Sequence, residues 1–120
     1  MNSHERLHTT FLHKEPDKVP IFEQGIASNV ASEILKRPAF TGSGGTGWFE
    51  LAKYLYEGRR DFLVRRIGED TVELYNKLDM DLVRGRLVPL KGPSKKLDKL
   101  TYYYEDDYGF WSIRRLARAL

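Results

Sequence analysis

Two spacings in this sequence match patterns of metal and cofactor sites, and a third cluster has the composition of a stacking surface. His4-Glu5-Arg6-Leu7-His8 fits the H-E-x-x-H frame, which on a helix sets two imidazoles one turn apart with a carboxylate to act on zinc-bound water. Zinc needs a further ligand, and the nearest are His13 and Glu15. The frame also lies at the N-terminus, where helices fray. It is read as solvated histidine, and no metal is assigned. Gly42-Ser43-Gly44-Gly45-Thr46-Gly47 fits G-x-G-x-x-G. A dinucleotide site would need a strand just before it and an acid at a strand end about 20 residues on. A helix precedes it here, and Glu69 and Asp70 fall inside another, so the stretch is read as a loop leading into a helix. Tyr102, Tyr103, Tyr104, Tyr108, Phe110 and Trp111 crowd together beside Arg114 and Arg115. Such a mixture can stack on single-stranded nucleic acid, but aromatics also pair well across strands. Packing or a substrate cap is the preferred role, and nucleic acid is not an expected partner.

These groups are positioned by elements that can be read from periodicity. Ser3 is a candidate cap for a helix over about 4–13, which the Lys14-Glu15-Pro16 stretch ends. Val19 to Gln24 reads as a strand closed by Gly25. Asn29 is placed to cap a helix over 30–37, with Val30, Ile34 and Leu35 as its apolar stripe. After the glycine-rich loop a helix is expected from Trp48 to Glu57. Leu63, Ile67, Leu74 and Leu78, spaced 4, 7 and 4, form a narrow apolar seam on a helix over 60–78. Asp81 to Arg84 reads as a second short strand. Lys99–Glu105 and Phe110–Arg115 form a hairpin around Asp106-Asp107-Tyr108-Gly109, with glycine at the left-handed position. Two strands joined by a helical connection imply parallel pairing. Parallel sheets contain several strands with both faces covered, so the pattern is that of the opening of a larger α/β domain.

Composition limits the class further. The 120 residues suit one domain, and 41% hydrophobic with 31% charged residues is the balance of a folded chain. No apolar run is long enough to span a membrane. With no cysteine there are no disulfides or thiolate ligands, which fits a cytoplasmic setting. The net charge of +3 is unevenly spread: residues 1–83 carry 11 basic and 13 acidic groups, and residues 84–120 carry 9 and 4.

Glu15-Pro16-Asp17-Lys18-Val19-Pro20, preceded by a helix with Arg6 and Leu7, resembles the opening segment of the uroporphyrinogen decarboxylase superfamily. That group includes the decarboxylase of haem and porphyrin biosynthesis, a lyase, and the cobalamin-dependent (corrinoid) methyltransferases. Asp106-Asp107-Tyr108-Gly109-Phe110-Trp111 is similar to the acidic-aromatic-glycine hairpin that many members carry after their second strand. The resemblance runs from Arg6 to about Arg115. It implies a (β/α)8 TIM barrel, which takes about 250 residues. Residues 1–120 would be a single partial domain holding the first two barrel strands, Val19–Gln24 and Asp81–Arg84, the helical connection between them and the hairpin. Such a fragment is expected to be inactive alone and either to self-associate through its bare sheet edge or to adopt a loosened, dye-binding state.

The resemblance also directs attention to the strand ends, since barrel active sites form at the C-terminal face. Glu23, Gln24 and Arg84 are the candidate substrate-binding residues. Alternation turns one of Glu23 and Gln24 inward. Arg84 is the best anion-binding candidate, with a salt bridge to Asp81 as its other role. No catalytic residue is assigned. The decarboxylase carries an Arg-Gln-Ala-Gly-Arg-type stretch after its first strand, whereas this chain has Glu23-Gln24-Gly25-Ile26-Ala27-Ser28-Asn29. A polyanionic porphyrinogen would meet Glu23 where it needs a cation, which favours the methyltransferase branch over the decarboxylase. That branch uses zinc held by late His and Cys ligands, and a corrinoid protein as partner. Those ligands would lie beyond residue 120, so corrinoid and zinc belong to a full-length relative. The expected partners are a small-molecule substrate and a corrinoid protein. The alternative is a non-enzymatic module that binds an anion or a partner through the basic hairpin.

Overall fold

The computed structural model describes residues 1–117. Four helices come first: α1 (Ser3–Phe11), α2 (Ser28–Leu35), α3 (Gly44–Tyr56) and α4 (Arg60–Lys77). Three strands follow, β1 (Lys95–Asp98), β2 (Thr101–Glu105) and β3 (Trp111–Arg115), in one antiparallel sheet of order β1-β2-β3. The fold is thus mixed α/β.

The seam on α4 does what its spacing predicts. Leu63 and Ile67 pack with Leu51 of α3 and Val88, while Leu74 and Tyr75 pack with Ala31, Leu35 and Ala39. Asp70, on the same helix, is buried and ties down the connection between α2 and α3. Its carboxylate accepts from the Phe40 amide at 2.8 Å and from Arg37 at 2.9 Å.

Several element boundaries differ from the expectation. Asn2, not Ser3, caps α1: its side chain accepts from the Glu5 amide and the Glu5 carboxylate accepts from the Asn2 amide. α2 begins at Ser28, so Asn29 lies within it and does not cap it. The glycine-rich stretch is not all loop, because α3 begins at Gly44. Glycine is required there for packing. A Cβ on Gly47 would stand 2.5 Å from the Gly42 carbonyl carbon, and one on Gly44, whose φ is +75°, would stand 2.6 Å from Ala27 Cβ.

Neither Val19–Gln24 nor Asp81–Arg84 forms a strand ladder. Pro20 has no N–H to give, and the Ile21 amide donates to the Asp81 carboxylate at 3.0 Å instead of to a backbone carbonyl. One backbone bond links the segments, from the Asp81 amide to the Ile21 carbonyl at 2.8 Å. The hairpin forms as expected, with Gly109 at φ +83°. β1 adds a third strand to it that the sequence reading did not contain.

The molecule is open. Its radius of gyration is 17.5 Å, against roughly 13–14 Å for a compact chain of this length. Its accessible surface is 8586 Å² at a mass of 14.0 kDa, where a compact monomer would expose about 6700 Å². No helix among the described residues is long and apolar enough to cross a membrane.

Candidate anion-binding site

The site begins with a clamp that holds the two extended segments. Arg6 projects from α1 and is 6% exposed. It grips Asp17 in a two-pronged pair, Nε to Oδ1 at 2.7 Å and Nη2 to Oδ2 at 3.0 Å, and its Nη1 donates to Asp81. Ser3 also donates to Asp81, at 2.9 Å. The hydrogen bonds from Arg6 hold the Asp17 carboxyl well below the usual carboxylate range. The Ile21 amide, with Ser3 and Arg6, lowers that of Asp81. Asp17 and Arg6 both belong to the segment that carries the family resemblance, and their local role is to fix the first extended segment against the second.

The segments touch again further on: the Ile21 amide meets the Asp81 carboxylate, and Arg84 Nη1 donates to the Gln24 carbonyl at 3.2 Å. Where both segments end, a pocket of about 120 Å³ opens, lined by Gln24, Thr41, Ser43, Tyr75, Arg84 and Arg86 among others. Tyr75 reaches it from α4 and donates its hydroxyl to the Glu23 carbonyl. Burial raises the Tyr75 pKa, so the phenol stays neutral.

The candidate residues therefore divide. Gln24 and Arg84 line the pocket, as a strand-end site requires. The Glu23 carboxylate accepts from the Gln24 amide at 3.1 Å and is not part of the lining. Asp81, the expected salt-bridge partner of Arg84, is taken by Arg6. Arg84 and Arg86 take part in no ion pair among the described residues. Sequence reasoning missed Arg86. Its signal was the alternation Arg84-Gly85-Arg86, which sets two cations on one side of an extended chain. Its stem lies along Gly42, where a Cβ would stand 3.2 Å from Arg86 Cγ.

Behind the pocket wall lies a buried polar network. Ser28 Oγ accepts from the Thr41 amide at 3.0 Å and donates to Glu50 at 2.9 Å. Desolvation pushes the Glu50 carboxyl up to about 7. This network joins α2 to α3 and fixes Thr41, which faces the pocket.

Chemically, two unpaired guanidinium groups beside threonine and serine hydroxyls bind and orient an anion. Among the described residues no carboxylate lines the pocket. His4 and His8 stack with ring centres 6.4 Å apart, and no group of three or more His, Asp or Glu side chains is placed to hold a metal among the described residues. In comparisons with models of protein families, with curated proteins and with solved structures, the chain matches none.

Proposed function

We propose that this chain is the opening part of a uroporphyrinogen decarboxylase-like barrel enzyme of the corrinoid-dependent methyltransferase branch, working in the cytoplasm. In this reading the Arg84–Arg86 pocket holds an anionic group of its small-molecule substrate. One observation carries the proposal. Two extended segments, joined through α2, α3 and α4, end at a common pocket whose two arginines make no ion pair among the described residues. Barrel enzymes build their sites at that end of their strands. The size suits a single group: about 120 Å³ is the volume of roughly four waters, enough for one carboxylate or phosphate. The methyl-transfer chemistry would come from a corrinoid partner and from residues outside this chain, whose own part is to bind and orient.

A second reading takes the same pocket as that of a non-enzymatic anion-binding module. The absence of a carboxylate from the lining favours it. The decarboxylase of porphyrin biosynthesis is the weaker enzymatic alternative, since Glu23 stands where that enzyme carries cations.

Calorimetric titration with succinate and with uroporphyrinogen tests these readings. Succinate binds the wild-type chain, and Arg84→Ala weakens it about tenfold or more, equivalent to about 1.4 kcal/mol. Uroporphyrinogen does not bind the wild-type chain. Tight binding of uroporphyrinogen by the wild type moves the chain to the decarboxylase branch. Succinate binding unchanged in Arg84→Ala removes the pocket from the account.

A further inference from the structure

The three-stranded sheet has two unlike faces. Its inner face is covered by α3: Tyr102 packs against Phe49 and Tyr56, with ring centres 5.9 Å apart in both pairs. Strand alternation turns Tyr103, Trp111, Ile113 and Arg115 to the other side. No described residue covers them: Trp111 is 64% and Ile113 53% exposed. Tyr103 and Trp111 stack with their planes 19° apart, which makes a flat aromatic platform.

We propose that this outer face is a self-complementary surface on which a second copy of the chain docks. The charge layout selects that occupant. Arg115 pairs in register with Thr101 at one end of the sheet, and Glu105 pairs with Trp111 at the other. Tyr103 and Ile113 lie opposite each other between them. A two-fold axis through the middle of the platform sets Arg115 over the partner subunit's Glu105, and the converse pair forms at the other end. Among the described residues the further charges on this side are Lys95, over Tyr103, and Asp98, 4.0 Å from Arg115. The face is therefore neutral inside a C-terminal third that is strongly basic. An acidic protein or a nucleic acid would satisfy Arg115 and meet repulsion at Glu105, whereas a second copy satisfies both. Packing of two aromatic platforms about 10 Å apart is the ordinary geometry of stacked sheets. This inference is independent of the barrel reading.

Sedimentation across the micromolar to sub-millimolar range tests it. The wild-type chain forms a dimer. Glu105→Arg alone and Arg115→Glu alone each raise the dissociation constant about tenfold or more, and the double variant recovers most of the loss. Trp111→Lys also weakens the dimer. Far-UV circular dichroism and the urea midpoint check that each variant folds, and the charge-swap pair carries the test alone if Trp111→Lys does not. A chain that stays monomeric throughout overturns the proposal. So does a dimer indifferent to either charge swap, which would point to pairing at a sheet edge, or a double variant no tighter than the singles.

Discussion

Leu63 and Leu74, on α4, are fully buried, whereas Leu87 and Leu90 in the extended segment that follows are 91% and 84% exposed. The residue type is the same, so the difference comes from what each backbone can do alone. A helix satisfies its own N–H and C=O groups and needs only a partner for its apolar stripe. Here α2 and α3 supply that partner from nearby sequence. An extended segment needs neighbours on both edges as well as cover on its faces. Ile21–Gln24 and Asp81–Arg84 have each other along one edge, joined by a single backbone bond. The helical region is therefore a finished core. The extended pair and the outer sheet face hold apolar surface that the chain itself does not cover.

That contrast can be broken by mutation. Leu74→Ala removes a fully buried side chain between α2 and α4 and costs about 2–5 kcal/mol in urea unfolding. Leu87→Ala should change the same measurement by no more than about 0.5 kcal/mol. Equal costs at the two sites would show that the extended segment is packed after all.

The clamp is the next largest effect and joins the two regions. Arg6→Met leaves Asp81 without its cation and Asp17 with only the N-terminal ammonium, 3.5 Å away, so α1 and the extended pair should loosen while α4 holds. Hydrogen exchange reads this directly: α1 amides exchange about tenfold faster or more, and those of α4 are unchanged. Acid should do the same. The folded pKa of Asp17 lies below its unfolded value, about 3.9 for a free aspartate. The stabilisation is therefore present above that value and is lost as pH falls from there through the folded pKa. Loss of α4 protection first would contradict this order.

Glu50 gives the opposite sign. Its folded pKa of about 7 exceeds the unfolded value, so the folded state holds the proton across the interval between them. Stability then falls as pH rises from about 4.5 to 7. Glu50→Gln should flatten that slope and, with solvent screening of a half-buried group, raise stability at pH 8 by roughly 1 kcal/mol. A slope unchanged in the variant would remove Glu50 as its source. A small gain is expected at Gly68, within α4, where a Cβ meets nothing within 4 Å. Gly68→Ala should stabilise by about 0.5–1 kcal/mol.

The legibility of these features follows the same division. The seam on α4 was plain because four apolar residues at helical spacing stand among charges, and the hairpin because glycine must take a positive φ at its turn. The start of α3 was hidden, since Gly44 and Gly47 look like loop residues and their need for close approach to Ala27 and Gly42 exists only in three dimensions. β1 was missed because Lys95-Lys96-Leu97-Asp98 has no apolar alternation and is exposed throughout. Val19–Gln24 and Asp81–Arg84 have the composition of strands, yet composition cannot supply the neighbours a ladder needs. At the site, Gln24 and Arg84, named for their places at the ends of two expected strands, both line the pocket. Arg86 was not, because its place beside Gly42 depends on a contact between distant segments.

The central claim is that the ends of the extended pair form an anion site. Amide NMR of the isotope-labelled chain during titration with succinate, and separately with inorganic phosphate, tests it most directly. The account predicts saturable shifts confined to Gln24, Gly25, Thr41, Ser43 and Gly85, which collapse in Arg84→Ala and in Arg86→Ala. Shifts centred on the basic hairpin, or none that saturate, would contradict it.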